Sequence, residues 1–472
     1  MTDEELEALR ARGRPFEEAE SALVRAVVSS PAFLSEADEA ALRYGLNLAR
    51  TARVRAPDGT DLDLSDLLAP LREELLPAAA LLAAPRGFAP EEAARLVHHV
   101  SAHARAFRAR VLAAFPDRLP ASALDREVCE KALVLVCGGG GGVGWSYLGA
   151  FALLEQYGLV PRLLAGASMG AVLLLFRARK LRWEFEEVAA ALRGLTFRTV
   201  FRFLESESRY GLPAAMRLDL RPAIGAFLSE PDGQPLTLAR LAIPLLVAVT
   251  GIRNGALPRD PGYYAHLLDL GDEEPRPNVL SRVVTDVFQA VGELLVQRDR
   301  FARVHLGADD ETRDFDAVDA VGFSSALPGV IHYDVDRDDE RMHAILRGLL
   351  SRHDLFRLVD GAVADILPAR AAWSAVQRGA VGTRNSFVLA LEGFTPRLTQ
   401  PLWFGLAQLA APNVTRNRPY IHLHRPLQRV LSPMEVVPDE EALQRAVQWG
   451  KAELHPDMPF VAHMCRPYPP LR

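Results

Sequence analysis

Two glycine-framed segments of this chain carry the residue types of acyl-transfer chemistry. Gly166-Ala167-Ser168-Met169-Gly170 has the Gly-x-Ser-x-Gly form of a nucleophile elbow, a tight strand-to-helix turn that exposes a serine hydroxyl. Upstream, five consecutive glycines, Gly138–Gly142, follow the apolar run Ala132–Cys137. A loop of that composition presents bare backbone N–H groups, which can hold the negative charge that develops on a carbonyl oxygen under attack. A nucleophile beside such a loop is the minimum equipment for acyl transfer.

These residues need elements to position them. In a chain with 33 glycines the pentapeptide alone is a weak signal, so its context decides. Before Ser168, residues 160–165 form a short apolar run suited to a buried strand; after it, Ala171–Phe176 opens a helix. Small residues at 165, 166, 167, 170 and 171 meet the steric demand of a cramped turn. The plainer alternative is a glycine turn whose serine merely caps the helix.

Composition narrows the setting. The formal charge is −6 over 472 residues and 49% of residues are hydrophobic, which gives a substantial core and no nucleic-acid footprint. Basic residues are 51 arginines and three lysines, a skew attributable to base composition, so no arginine is singled out. Cys129, Cys137 and Cys465 have no metal spacing, and Cys137 closes an apolar strand as a buried thiol. Thr2-Asp3-Glu4-Glu5 starts a helix with a capping box and lacks the charge of a signal peptide. The longest apolar stretch, near 163–176, is too short to span a bilayer. The expectation is a soluble protein of a reducing, cytoplasmic compartment that touches membranes at most peripherally.

Along the chain, residues 1–128 read as an all-helical region, with apolar positions Leu6, Leu23, Leu42 and Leu46 at helical spacing and one long helix over 93–115. His99 and His103 lie four apart on that helix. The neighbourhood offers no third ligand in sequence, so solvated surface histidines and no metal are expected. From 129 to 395, strands at 131–137, 160–165, 245–250 and 387–391 alternate with helices, which predicts an α/β domain with a mainly parallel sheet; 420–424 is a weaker strand. Within it, 256–320 breaks the alternation with an acidic, proline-rich stretch and an amphipathic pattern at 283–295. That stretch is either a helix packed on the core or a lid over 279–303. Residues 342–356 carry a shorter pattern of the same kind. Residues 396–472 form a C-terminal extension without a catalytic pattern, expected to pack on the catalytic domain.

Four segments in order resemble the patatin-like phospholipase family over roughly 131–395. Gly139–Gly149 resembles its oxyanion loop, with Gly144 and Gly149 in register, and Gly166–Gly170 its elbow. Ser324-Ser325-Ala326-Leu327-Pro328 is similar to its Ala-Ser-x-Ala-x-Pro segment, and Asp360-Gly361-Ala362 with Leu367-Pro368 to its Asp-Gly-Gly/Ala motif. The basic residue usual in the loop is replaced by Val143. The resemblance implies a three-layer α/β/α hydrolase and a histidine-free dyad, Ser168 as nucleophile and Asp360 as base. It places the oxyanion on N–H groups of Gly139, Gly140, Gly141, Gly142 and Met169. No metal, nucleotide or other cofactor is implied, and the substrate is a lipid ester met at a membrane or micelle surface.

Rival readings stay open on the residues alone. An α/β-hydrolase triad would take its base from His422, His424 or His463, all downstream of Asp360. An acyltransferase would use the same elbow, and a scaffolding protein would keep the fold without the reaction. Oligomeric state is not legible.

Overall fold

The computed structural model describes residues 1–203, 208–230, 232–255, 300–393 and 412–471. The chain divides into two compact units: 1–134 with 373–388 and 456–472, and 135–372 with 389–455.

The first unit is built on helices α1 (Asp3–Ser29), α2 (Glu36–Arg50), α3 (Ala69–Leu82), α4 (Pro90–Ala114) and α5 (Ala121–Cys129). The expected capping box starts α1: the Glu5 N–H donates to the Thr2 hydroxyl and the Thr2 N–H to the Glu5 carboxylate. A hairpin, β1 (Arg53–Arg55) and β2 (Asp61–Asp63), interrupts the helices where Pro57-Asp58-Gly59 sets a turn. Phe16, Leu23, Leu42, Leu46, Leu75 and Val100 meet in one buried apolar cluster. On α4 the buried positions Ala93, Val100, Ala104, Phe107 and Val111 recur at three, four and seven residues, so one stripe faces the core.

A buried polar knot lies within this unit. Lys131 Nζ meets Glu20 Oε2 at 2.8 Å and donates to Asn47 Oδ1 and Asn385 Oδ1 at 2.6 and 2.8 Å. Arg43 Nε donates to Glu20 Oε1 at 3.1 Å. Burial opposes ionisation of Glu20, but Lys131 and Arg43 outweigh it and hold its carboxyl down at about 2.

The second unit holds most of a seven-stranded sheet flanked by helices. In chain order come β3 (Ala132–Cys137), α6 (Tyr147–Gln156), β4 (Leu163–Ala167) and α7 (Met169–Ala178). There follow β5 (Phe201–Phe203), β6 (Met216–Leu218), β7 (Leu245–Arg253), β8 (Phe301–Leu306), β9 (Ile331–His332), β10 (Leu355–Asp360), β11 (Ser386–Glu392) and β12 (Leu423–Pro426). The sheet order is β10-β7-β4-β3-β11-β12, with β8 also paired to β7; β5, β6 and β9 make a separate small sheet. β4 runs parallel to β7 and β11 to β12, whereas β8 and β10 are antiparallel to β7. The expected strand at 420–424 starts later, at Leu423.

Every residue of β3, β4 and β11 is buried, as near-continuous apolar runs in a helix-covered sheet require. The amphipathic stretch at 283–295 lies outside the described residues; residues 301–303, at the end of the lid expectation, belong to strand β8. The second such pattern forms helix Glu340–Arg352, which buries Met342, Leu346 and Leu349 and packs on β10. Among the described residues no helix is long and apolar enough to cross a membrane.

Breaking a buried ion pair by removing one partner costs about 3–5 kcal/mol, because the other charge stays buried. Lys131→Met is therefore expected to lower unfolding free energy by about that much in urea denaturation, and Glu20→Gln with Lys131→Met by less than Lys131→Met alone.

Candidate active site

Strand pairing puts the serine and the aspartate level with each other. β7 lies between β4 and β10, and its Ala248 is opposite Ala167 while its Val249 is opposite Asp360. Because β10 runs antiparallel to β7, its carboxyl end falls where β4 ends. Ser168 then follows β4 directly and α7 begins at Met169.

The turn at Ser168 is strained. Its φ of 51° and ψ of −132° lie outside the regions that side-chain-bearing residues prefer, and Asp354 alone shares a positive φ among the described non-glycine residues. Such a conformation costs about 1–3 kcal/mol and persists only where the surroundings enforce it. They do so here. The Ser168 N–H donates to Ser324 Oγ at 2.8 Å, and that hydroxyl donates to the Ala248 carbonyl at 2.6 Å. A Cβ on Gly170 would run into the Cys137 and Gly138 carbonyls, and one on Gly166 would sit 2.8 Å from the Ala171 nitrogen. Both flanking glycines of the elbow are therefore steric requirements.

Ser168 Oγ donates to Asp360 Oδ2 at 2.8 Å. The other carboxylate oxygen accepts the Ala362 N–H at 2.7 Å. The Gly361 N–H reaches the Ser324 carbonyl and the Asp360 N–H the Ala326 carbonyl, so the segment after helix Ala317–Ser324 ties both loops together. Asp360 is 3% exposed. Burial pushes its carboxyl up from 3.8 to about 7, against the lowering effect of the Ala362 N–H and the Ser168 hydroxyl. A carboxylate of that basicity, in contact with a hydroxyl, can accept its proton near neutral pH.

The glycine loop leaves β3 and enters a 3-10 turn at Gly141–Ser146. Not every expected donor in it is free. The Gly139 N–H donates to the Ile366 carbonyl at 3.2 Å and the Gly142 N–H to the Pro433 carbonyl at 2.9 Å. Those two bonds hold the loop in place and remove Gly139 and Gly142 from the available donors. Gly140 and Gly141, at φ of 151° and 59°, line the cavity beside Ser168 and Met169, and their N–H groups make no bond among the described residues. Gly139 lies against Ser168 instead: an added Cβ would be 3.1 Å from that of Ser168.

Val143, where a basic residue is usual, is buried against Gly393; the Gly393 N–H donates to Tyr147 Oη, which donates to the Gly138 carbonyl. An apolar plug thus occupies the place of the charge. Support also comes from a segment with no catalytic pattern. Ser432, Pro433 and Glu435 present carbonyls to Gly142, and helix Glu440–Leu454 crosses α6 so closely that a Cβ at Gly149 or Gly450 would strike the opposite backbone. The paired glycines at 149 and 450 were the one sequence signal of that contact.

A cavity of about 550 Å³ opens on Ser168 and Asp360. Val172, Phe176, Leu195, Leu218, Ile224 and Val330 are among its walls, and Asp360 is its one charged residue among those described. Two buried polar atoms in the lining, Trp145 Nε1 and Ser325 Oγ, have no partner among the described residues.

The histidines expected for a triad pair elsewhere or make no bond to Ser168 or Asp360 among the described residues. His424 Nε2 is 2.7 Å from Glu392 Oε2, and His463 Nε2 is 2.7 Å from Glu39 Oε1. The side chains of Ser168 and Asp360 have no histidine partner among the described residues. Asp365, the neighbouring aspartate, is held by His305 and Asn417 instead. Cys137 is fully buried, which pushes its thiol well above the ordinary range.

The family model described as Patatin-like phospholipase matches residues 135–373, half of the chain, and the chain belongs to that family. The match runs through the glycine loop, the elbow and the Asp360 turn. Membership supports lipid acyl hydrolysis as the general activity. Comparison with curated proteins gives no match.

Because the folded state binds the Asp360 proton more tightly than the unfolded chain, its contribution to stability is complete below pH ~4 and lost as pH rises to about 7. Asp360→Asn keeps an acceptor for Ser168 and removes that penalty. Thermal unfolding should show the variant more stable than wild type at pH ~8, by an order of a few kcal/mol, with the difference vanishing near pH 4.

Proposed function

We propose that this chain hydrolyses carboxylic esters of lipids, with Ser168 as nucleophile and Asp360 as its base. The observation that carries the reading is the 2.8 Å bond between Ser168 Oγ and the buried Asp360 carboxylate, at the wall of an apolar cavity. Ser168 Oγ attacks the ester carbonyl carbon as its proton passes to Asp360 Oδ2. The carbonyl oxygen, now negative, is held by the N–H groups of Gly140, Gly141 and Met169. Collapse breaks the ester C–O bond, and the leaving alcohol takes the proton from Asp360. Water then repeats the sequence on the acyl-serine and releases a fatty acid.

The cavity suits an acyl chain, and its described residues offer no counter-charge for a headgroup. Its volume lies within the ~300–1,000 Å³ of ligand pockets, and its walls are apolar. Trp145 Nε1–H and Ser325 Oγ, unpartnered in that lining, suit the ester's polar atoms. Phe197 and Met434, exposed by 38% and 63%, belong to the same lining and suit contact with a lipid surface. The acid–base pair needs no histidine, which separates this reading from the triad; release of free fatty acid to water, rather than transfer to an added alcohol, separates it from acyl transfer.

In a lipid-panel assay Ser168→Ala is expected to abolish hydrolysis, and Asp360→Asn to lower turnover by roughly 10²–10⁴-fold with the fold intact. Wild-type turnover should fall as pH drops below about 7, where Asp360 becomes protonated. Near-normal turnover in Asp360→Asn rejects the dyad. Across esters differing only in acyl length, kcat/KM should rise about fourfold per added CH₂, the equivalent of ~0.8 kcal/mol each, until the cavity is full. A flat dependence places the acyl chain elsewhere.

A further inference from the structure

Two histidines that the sequence leaves as surface groups gain a third partner in the fold. His99 and His103 stand one turn apart on α4, outside its buried stripe, with ring centroids 4.3 Å apart. Glu74, on α3, brings its Oε2 to 3.9 Å from His103 Nε2. One donor atom from each of the three residues lies within 4.8 Å of the others. Sequence spacing could not show this, because the third residue sits on another helix, across the Pro85-Arg86-Gly87 break.

A hydrogen bond to the backbone gives the cluster a direction. His103 Nδ1 is 2.9 Å from the His99 carbonyl oxygen. A carbonyl only accepts, so Nδ1 carries the hydrogen and donates it. In the neutral ring Nε2 then holds a lone pair, and it faces a carboxylate oxygen. Such a pair is bridged either by a proton on Nε2 or by a metal ion, and His99 supplies a third donor beside it that a proton would not need. A ring nitrogen that donates to a backbone carbonyl, with the other nitrogen free to bind, is also the arrangement that orients metal-ligating histidines.

We propose that Glu74, His99 and His103 bind one divalent transition ion of the zinc class, with water as the fourth ligand. Two imidazole nitrogens and one carboxylate oxygen are a donor set suited to zinc. Donors ~2.0–2.1 Å from a tetrahedral ion stand closer together than these atoms do, so the side chains close inward on binding. They are able to: the Glu74 side chain is 57% exposed and that of His103 32%. The ion would join α3 to α4 within the helical unit. This inference does not depend on lipid hydrolysis.

The test is titration of tag-free, full-length protein with Zn²⁺ alone in a calorimeter at neutral pH, alongside Co²⁺ alone followed by visible absorption. One ion per chain is expected, with Co²⁺ bands of tetrahedral intensity and a thermal midpoint that rises with Zn²⁺. His99→Ala, His103→Ala and Glu74→Gln should each weaken binding by ~10-fold or more while leaving the metal-free midpoint unchanged. Absence of binding at millimolar Zn²⁺ overturns the proposal. So does stoichiometric binding that survives the triple replacement, which would place the ion elsewhere. If an alanine variant shifts the metal-free midpoint, Glu74→Gln alone decides: undiminished affinity in it rejects the site.

Discussion

The hydrogen bond between Ser168 and Asp360 is the constraint around which the second unit is arranged. It joins a strained residue to a buried carboxyl, two features that destabilise a fold when taken alone. The sheet makes the pairing geometrically unavoidable, since β7 measures off both loops in register. Ser324 then closes the arrangement by bonding to the backbone on both sides of the dyad. With no charged partner for Asp360 among the described residues, burial raises its basicity further than the bonds from Ala362 and Ser168 lower it. A histidine is therefore unnecessary for placing a proton acceptor near neutral pH.

The glycine loop divides its labour. The Gly139 and Gly142 N–H groups go to anchoring carbonyls, and this fixes between them Gly140 and Gly141, whose N–H groups make no bond among the described residues. One anchor, Pro433, comes from a segment almost 300 residues downstream in sequence. For the proposed reaction rigidity matters, because a donor aimed at a developing charge works only if it need not reorganise. Val143, in the position of a usual cation, is consistent with a loop braced by packing against Gly393 and Tyr147.

Much of this was legible in the residues because the demands are local. Gly166 and Gly170 cannot carry a Cβ, the runs at 132–137 and 387–391 are apolar throughout, and the Asp360-Gly361 pair stands at a strand end. What escaped the sequence is what requires two distant segments to meet. The role of Pro433 against Gly142, the assignment of individual N–H groups and the approach of Glu74 to His103 all depend on tertiary contact. The hairpin at 53–63 was visible as a turn, yet its strands are too short for an alternating pattern to register. The shorter amphipathic pattern at 342–356 left a core-packed helix and a lid both open, and it is a helix packed on β10; periodicity reports that a face is buried and not what buries it.

The account rests on Asp360 acting as the base for Ser168, and the most direct measurement is the rate at which Ser168 is phosphonylated by a fluorophosphonate at pH ~8. Wild type should react at a rate that falls below about pH 7, and Asp360→Asn, folded to the same extent, should react at least ~10²-fold more slowly. A rate within a few-fold of wild type in Asp360→Asn, or its loss on replacing His422 or His424 instead, would contradict the account.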